Sequence, residues 1–325
     1  MIGVGGAEDA PREAADGGSA ISGAAVTGGL DGARSTVGPV ASSPRPARLS
    51  PRAALRLWSR APARAKAGTV LATLVLIVTL VGPASLPYDP LKPDYLATYA
   101  APSLTHPLGT DGLGRDVLAR TLAGGRVSLT IASLAALLAL TLGGTAGLAA
   151  AEGGARTDAT LVRAFDALLA FPGFLLVLLV VAATGGGVPQ TILALGLAGS
   201  PLYFRLVRGF ARSARTAEHV TAARALGAGA LRTASRHVLP VFAGPLAVQV
   251  ASTLATFLLV EASLSYLGLG VSLPTPTWGN VLQDARALLT RQPWAALGPG
   301  VVLGMATLSL QLLADGLRDA GDVGG

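Results

Sequence analysis

The sequence contains no cysteine and few charged or aromatic residues. Without cysteine the chain has no disulfide framework, no thiolate metal site and no cysteine nucleophile. Charged residues make up 13% of the 325 residues, roughly half the fraction in an ordinary soluble domain, whereas hydrophobic residues make up 51%. Glycine occurs 42 times and aromatic residues contribute only 5%. This composition excludes a typical cytosolic enzyme and favours a bundle of membrane helices rich in small residues.

Large apolar side chains are almost absent from residues 1–50, which are mostly Gly, Ala, Ser and Pro. Such a segment buries too little surface to offset its ordering entropy, so we predict a disordered cytoplasmic tail. It lacks the basic start and apolar core of a secretory signal peptide.

In the basic juxtamembrane segment 51–66, arginines recur every four residues around Trp58. This pattern fits either a helix lying at the lipid headgroups or a topogenic charge cluster without fixed structure.

Six apolar stretches follow, each close to the roughly 20 residues needed to cross about 30 Å of hydrocarbon. The predicted fold class is therefore an all-α membrane protein with six transmembrane helices. The stretches run from 67 to 84, 127 to 151, 167 to 183, 189 to 207, 241 to 267 and 294 to 313. Gly143 with Gly147, and Gly300 with Gly304, have the small-xxx-small spacing that permits close helix contact.

These stretches define the predicted organisation of the chain. The first transmembrane helix covers 67–84, an extracytoplasmic loop covers 85–126, and a core of membrane helices covers 127–314 with its longest cytoplasmic loop at 208–240. Residues 315–325 form a cytoplasmic C-terminus.

Basic residues are concentrated on one side of this six-helix arrangement, and only Lys66 and Lys92 among them are lysine. Seven cations lie from Arg45 to Lys66, directly before the first stretch, without any acid between them, and seven more lie from Arg205 to Arg236 against the single acid Glu218. By the positive-inside rule, both termini are cytoplasmic and the chain is a multi-pass protein of the plasma or inner membrane. The net charge of +7 therefore reflects topology, and the predicted partner is membrane lipid rather than nucleic acid.

The 208–240 loop contains one segment of good helix formers. Glu218 to Leu226 suits a short helix with a small-residue face, which Gly227 and Gly229 end. A helix of this kind suits docking into a partner's groove. On pattern alone, a plain amphipathic loop helix is the simpler interpretation.

This segment resembles the coupling loop, or EAA loop, of importer-type ABC transporter permeases. The family pattern is Glu-Ala-Ala, three residues, Gly, nine residues, and an apolar stretch ending in Leu-Pro. The matching positions here are Thr221, Ala222, Ala223, Gly227, Leu239 and Pro240. Thr221 stands where the family has glutamate, and Glu218 lies one helical turn earlier, where it is expected to substitute. The resemblance implies that this helix seats in a cleft of an ATPase subunit.

Three further segments narrow the resemblance to the C-type permease subunit of dipeptide, oligopeptide and nickel importers. HPLGTDGLGRDVLAR at 106–120 looks like the HPLGTD-x-x-GRDVLSR signature that precedes the second helix. Residues 261–282 look like the EASLSFLGLG and PTPSWG elements, and 312–322 look like the LLGDGLRDALDP ending. The signature residues in the first segment are Gly109, Thr110, Asp111, Gly114, Arg115 and Asp116.

Two of these segments also have a chemical interpretation of their own. The charged residues of 106–120 suit a compact turn in which opposite charges pair at the start of a helix, with substrate contact as the alternative. Trp278, which follows two prolines, is predicted to be an interfacial tryptophan in a rigid outer loop.

The resemblance implies a transmembrane permease subunit of an ATP-driven, binding-protein-dependent importer for di- or oligopeptides or a related small solute such as a nickel chelate. It implies as partners a homologous second permease, two ATP-binding cassette ATPases and an extracytoplasmic substrate-binding protein. ATP and Mg belong to the ATPases, because neither lysine here follows glycine as a phosphate-binding loop requires. We predict a non-catalytic chain with no cofactor or metal site of its own.

Acidic residues near the bilayer are costly, so each needs a local explanation. Asp166 is predicted to pair with Arg163 and Asp315 with Arg318, both three residues apart. Glu261 is predicted near the outer interface, where it snorkels or pairs between helices. An ion-coupled secondary transporter is one alternative function, but none of these acids is placed at the midplane. A non-transport membrane scaffold is another, and it leaves the coupling-loop pattern unexplained.

Overall fold

The computed structural model of the chain describes residues 62–215, 239–290 and 292–322. The predicted tail at 1–50 and most of the basic segment 51–66 lie outside the described residues. Within the described ranges the chain is helical, with an isolated β-bridge between Thr110 and Asp116 and no strand. The α-helices are α1 (Ala63–Ser85), α2 (Val117–Glu152), α3 (Ala155–Leu169), α4 (Gly173–Thr184), α5 (Val188–Arg215), α6 (Leu239–Tyr266), α7 (Trp278–Ala285) and α8 (Trp294–Asp322).

Four of the described helices are long and apolar enough to cross a membrane, namely α1, α2, α6 and α8. The α3–α4 pair passes the same criteria only as two helices bent by 86°, so the count reaches five at most. Helix α5 is long enough but not apolar enough to be counted as a membrane span, because Gln190, Thr191 and Arg205 lower its mean hydropathy. The all-α class is confirmed, whereas the predicted count of six transmembrane helices is not.

Four predicted stretches differ from the observed helices. The fourth and sixth stop at 207 and 313, whereas α5 and α8 continue to Arg215 and Asp322. Helix α2 begins at Val117, well before the predicted 127, because the Asp116 side chain caps its N-terminus by accepting a hydrogen bond from the Ala119 amide. The third stretch, 167–183, is not a single helix, since the chain breaks between α3 and α4. Pro172 explains the break, because proline disfavours helical conformation at the preceding residue and α4 starts directly after it.

Helix α2 lies at the centre of the described bundle and contacts α1, α3, α5, α6, α7 and α8. Two glycines allow its backbone to approach α5 closely. A Cβ atom at Gly143 would overlap the Ser200 carbonyl oxygen and lie 2.8 Å from the Phe204 nitrogen, and one at Gly147 would lie 2.7 Å from the Phe204 oxygen. The close contact predicted for Gly143 and Gly147 is therefore confirmed.

Glycines also bring α1 and α8 together. A Cβ atom at Gly68 would lie 2.9 Å from the Ser309 carbonyl oxygen of α8, and Gly316 of α8 faces the backbone of Ala65. The other predicted pair is not used in this way, because a Cβ atom at Gly304 would meet no described atom within 4 Å. Close packing in α8 therefore depends on Gly316 rather than on the predicted Gly300 and Gly304.

We expect Gly143→Ala to lower the melting temperature of the purified protein in detergent and Gly144→Ala to leave it unchanged or raise it. Alanine gains about 1 kcal/mol of helix propensity over glycine at either position. At Gly143 the added methyl group overlaps the α5 backbone, whereas at Gly144 it meets side-chain atoms at 3.7 and 3.8 Å, which is ordinary contact. Equal melting temperatures for the two variants would contradict the proposed role of Gly143.

Candidate functional site

The segment between α1 and α2 folds against α7 at the end of the bundle where α2 begins. We call residues 86–116, α7 and the following 3-10 turn (Arg286–Leu288) the cap. The backbone amide of Asp94 donates to the Leu113 carbonyl at 3.0 Å, which closes the segment on itself. Apolar side chains of α7 and the turn pack with Val117 of α2. The cap is therefore attached to the start of α2 through both polar and apolar contacts.

Asp111 is the centre of a buried ion-pair network in the cap. Its Oδ2 accepts hydrogen bonds from Arg115 Nε at 2.8 Å and Arg120 Nη1 at 2.7 Å. Its Oδ1 accepts the backbone amides of Leu113 at 2.8 Å and Arg115 at 3.0 Å. The side chains of Asp111 and Arg115 are 5% exposed and that of Arg120 is 1% exposed. The predicted pairing of opposite charges in this segment is confirmed.

Asp284 of α7 supplies the second carboxylate of this network. Its Oδ2 lies 3.3 Å from Arg115 Nη2 and 3.0 Å from Arg120 Nη2. Burial raises the pKa of the Asp284 carboxyl, although both arginines act in the opposite direction. Two carboxylates thus face two guanidinium groups. Sequence reasoning missed Asp284 because no local pattern connects it with residues so far away in the chain.

Asp116 connects the cap to α2 in a different way. Its Oδ1 accepts the Ala119 amide at 2.6 Å and thereby caps the helix, while its Oδ2 lies 2.9 Å from His106 Nδ1. The His106 ring also lies against Tyr88, with ring centroids 4.6 Å apart. The same carboxylate therefore fixes both the helix N-terminus and the loop before it.

The remaining signature residues shape the turn before α2. The Thr110 hydroxyl accepts the Ala100 amide at 2.8 Å. Gly109 and Gly114 have φ angles of 72° and 73°, in the left-handed region that favours glycine. At Gly114 a side chain would also collide with the carbonyl of Asp94. The structure therefore brings all six signature residues together in one folded turn.

Two residues predicted to face the membrane interface are buried instead. Trp278 is 0% exposed and its Nε1 donates to the Thr121 carbonyl at 3.0 Å. Glu261 is also 0% exposed, and its Oε1 accepts the Ser265 hydroxyl at 2.9 Å. The interfacial position of Trp278 and the snorkelling of Glu261 were wrong predictions. Helix α7 begins at Trp278 and packs on α2 and α6, so the Trp278 ring lies against α2 and Glu261 of α6 is buried.

A cavity of about 280 Å³ lies between α4, α5 and α6. Its walls are mostly apolar, but α6 contributes four polar side chains that we call the α6 stripe: Gln249, Ser252, Thr253 and Thr256. Their helical spacing places them on one face, and Gln249 Nε2 donates to Thr253 Oγ1 at 3.3 Å. Polar groups are disfavoured against lipid, so this face suits water or another protein chain. The signal was present in the sequence as polar residues at helical spacing within an apolar stretch.

At the opposite end of α2, ion pairs join α3 to the second half of α5. Asp158 Oδ1 accepts Arg208 Nε at 2.6 Å, and Asp158 Oδ2 accepts Arg208 Nη2 at 2.8 Å and Arg212 Nη2 at 2.7 Å. Sequence reasoning did not identify Asp158 because its partners lie at least 50 residues further along the chain.

The two predicted i, i+3 ion pairs have different outcomes. Asp166 pairs with Arg205 of α5 at 2.8 Å rather than with Arg163, because α3 packs along α5 and brings an arginine from the neighbouring helix within reach. Asp315 and Arg318 lie 3.8 Å apart, as predicted.

Most of the predicted coupling residues lie outside the described residues, namely Glu218, Thr221, Ala222, Ala223 and Gly227. Leu239 and Pro240 are the first residues of α6. The segment 216–238 therefore connects the end of α5 to the start of α6. Phe210 of α5 stacks on Phe242 of α6, with ring centroids 4.2 Å apart and ring planes 8° from parallel. This contact holds together the parts of α5 and α6 that flank the segment.

Residues 120–322 match the family described as "Binding-protein-dependent transport system inner membrane component". The chain belongs to this family. The match extends from Arg120 of α2 to the end of α8 and so includes the α6 stripe, the Asp158 ion pairs and the predicted coupling segment.

Three similar proteins are named as transport permeases. A protein of Brucella suis biovar 1 that is named as a peptide permease is 40% identical over 78% of this chain and 85% of its own length. The di/tripeptide transport system permease protein of Pseudomonas aeruginosa is 37% identical over 78% and 86%, respectively. The dipeptide transport system permease protein of Alkalihalophilus pseudofirmus is 35% identical over 78% and 84%. The resemblance inferred from the sequence motifs is confirmed.

The cavity of this permease offers hydrogen-bonding groups and apolar surface without charge. Its lining includes no Asp, Glu, Lys or Arg. Nor does the described part of the permease contain a group of three or more His, Asp or Glu side chains that could hold a metal ion. The matched family is described as a component of a transport system.

We expect Asp111→Ala to destabilise the permease by about 3 kcal/mol or more, because it leaves two buried guanidinium groups with only Asp284 as a partner. The measurement is the melting temperature or denaturant midpoint in detergent. Asp89→Ala is the matched control, since Asp89 is exposed and its carboxylate accepts, within the described part of the chain, the Leu91 amide alone at 2.8 Å. Equal losses of stability for Asp111→Ala and Asp89→Ala would contradict the stabilising role of the ion-pair network.

Proposed function

We propose that this permease component conducts di- or oligopeptides across the membrane in an importer driven by ATP hydrolysis in partner subunits. The observation that supports the proposal most directly is the similarity, over 78% of the chain, to permeases named for dipeptide and di/tripeptide transport.

The α6 stripe is the proposed lining of the peptide passage. A peptide backbone presents amide donors and carbonyl acceptors at every residue, and each costs free energy if it loses water without a replacement hydrogen bond. The hydroxyl and amide groups of Gln249, Ser252, Thr253 and Thr256 can donate and accept. Because the cavity lining carries no charge, it does not select among peptide side chains by charge. The α6 stripe therefore suits peptides of varied sequence.

The open side of this cavity is the proposed contact with a second, homologous permease. A passage for a polar solute has to be closed to lipid, and the described helices of this chain leave the cavity open on one side. A second permease placed against α4, α5 and α6 would close it. This arrangement also gives the exposed Thr256 hydroxyl an aqueous environment.

The arginine distribution supports an orientation in which both termini are cytoplasmic and the cap faces outward. The end of α5 carries Arg205, Arg208, Arg212 and Arg215, and the following segment adds three more arginines against the single acid Glu218. In the cap, by contrast, acids balance the arginines. We therefore place the external binding protein at the cap and one of the two ATPases at the segment 216–238.

Within that segment we propose that residues 218–226 form the coupling helix. The helix would seat in an ATPase through Thr221, Ala222 and Ala223, with Glu218 supplying the acidic contact and Gly227 ending the helix. Leu239 and Pro240 begin α6 directly after it. Movement of the ATPases would thus reach α5 and α6 together, and these two helices line the cavity.

Thr256→Leu is expected to reduce peptide uptake about fivefold, since one lost hydrogen bond is worth about 1 kcal/mol. The assay is uptake of radiolabelled dialanine by cells or vesicles that contain the complete transporter. Thr141→Leu in α2 is the matched control. Both threonines are exposed and donate to their own helix backbone at 3.0 Å, but only Thr256 lines the cavity. Equal uptake by the two variants would exclude the α6 stripe from the passage.

Gly227→Leu is expected to reduce ATP-driven uptake roughly tenfold. The residue that ends a helix commonly adopts the left-handed backbone conformation, which costs a residue with a side chain about 1–2 kcal/mol. Copurification of the ATPases with the permease should fall in parallel. Gly209→Leu is the control, since a Cβ atom at Gly209 would meet no described atom within 4 Å.

The same vesicles test the alternative of an ion-coupled carrier. ATP-driven uptake should survive a proton ionophore and stop when ATP is depleted. The opposite pattern, or a Gly227→Leu variant with normal uptake and ATPase assembly, would refute the proposed function.

A further inference from the structure

We propose that Asp158 is a positioning residue that fixes the base of the coupling segment, so that ATPase movement reaches the transmembrane helices. The inference rests on the proposed function, because it assumes that residues 216–238 receive that movement. It concerns an ion-pair cluster in the described residues that neither the sequence motifs nor the proposed passage includes.

The cluster lies close to the point where the coupling segment leaves α5. Arg208 and Arg212 are in the last two turns of that helix, which ends at Arg215. Arg208 presents Nε and Nη2 to the two oxygens of Asp158, at 2.6 and 2.8 Å, and Arg212 adds a third hydrogen bond at 2.7 Å. A two-point arginine–carboxylate contact fixes direction as well as distance. The end of α5 is therefore held in one orientation on α3.

A second ion pair joins the same two helices and shows what distinguishes Asp158. Asp166 and Arg205 make a single contact at 2.8 Å, and their side chains are 51% and 62% exposed. The side chains of Asp158 and Arg208 are 17% and 25% exposed. Exposed single contacts contribute little because water and salt screen them. Holding the end of α5 in place on α3 is thus assigned to Asp158, and Asp166 provides a matched comparison.

Aromatic contacts connect the other neighbouring helices to this base. Phe165 of α3 stacks on Phe204 of α5, with ring centroids 4.3 Å apart and planes 6° from parallel. Phe210 of α5 stacks on Phe242 of α6 at 4.2 Å. The two ends of the coupling segment are consequently joined to each other and, through Asp158, to α3. A force on the segment moves α3, α5 and α6 as one unit rather than bending the end of α5 alone.

The test uses the complete transporter with its partner permease, ATPases and binding protein, reconstituted in vesicles and supplied with radiolabelled dialanine. For each variant we would measure the number of dipeptides transported per ATP hydrolysed. We expect Asp158→Asn to lower this ratio about tenfold, the scale of losing charge-assisted hydrogen bonds, with ATPase copurification retained. Asp166→Asn should leave the ratio within about twofold of wild type, as exposed pairs contribute little.

A charge exchange separates positioning from a general loss of structure. Asp158→Arg combined with Arg208→Asp keeps one carboxylate between two arginines, and we expect it to restore the ratio to at least about half of the wild-type value. If Asp158→Asn fails to assemble, the exchanged variant decides the question. The inference would be overturned if Asp158→Asn and Asp166→Asn gave equal ratios of transport to ATP hydrolysis. It would also be overturned if the exchange variant assembled but its ratio stayed as low as that of Asp158→Asn.

The Gly227→Leu experiment distinguishes the two possible failures. If Gly227→Leu transports normally, the proposed coupling function itself fails. If Gly227→Leu abolishes uptake while Asp158→Asn behaves like Asp166→Asn, the coupling function stands and only the role of Asp158 is refuted.

Discussion

Two buried arginines at the start of α2 are stable there because two carboxylates face them, and the rest of the bundle depends on this pairing. Asp111 accepts hydrogen bonds from both guanidinium groups, and Asp284 of α7 lies within 3.3 Å of each. A buried charge without its partner costs several kcal/mol, so the network makes the cap and the start of α2 stabilise each other. Helix α2 in turn contacts α1, α3, α5, α6, α7 and α8. Its position therefore determines where the other described helices lie.

The sequence predicts the helices whose boundaries depend on local chemistry. Apolar runs closely locate α1 and α6, because a long apolar segment has few alternatives to a membrane helix. Helix α2 begins earlier than its apolar run because Asp116 supplies a cap that hydropathy does not register. The third stretch divides at Pro172, and only the tertiary structure shows that the two parts are bent by 86°. Hydropathy thus predicts where long apolar helices lie, whereas helix caps and breaks are predicted only from individual residues such as Asp116 and Pro172.

The same distinction applies to the candidate site. Asp111 and Arg115 are four residues apart, so their pairing was predictable from spacing alone. Asp158 and Asp284 meet arginines from distant parts of the chain, and no local pattern contains that information. Glu261 was misplaced because a position along a helix predicts depth in the membrane but not whether another helix covers that face. Trp278 was misplaced because the expected outer loop is the start of α7, which packs on α2. The position of α7 in turn depends on the Asp111 network, to which it contributes Asp284.

Helix α2 also provides the physical connection between the two ends of the permease. At about 1.5 Å per residue, its 36 residues extend about 54 Å, well beyond the roughly 30 Å of the hydrocarbon core. Gly143 and Gly147 place its backbone directly on α5, with no intervening side chain that could change rotamer and absorb a displacement. A shift of α5, whose end Asp158 binds to α3, is thus transferred to α2 and onward to the cap through Asp111. Under the proposed function, closure of the ATPases would alter the cap and the open side of the cavity together.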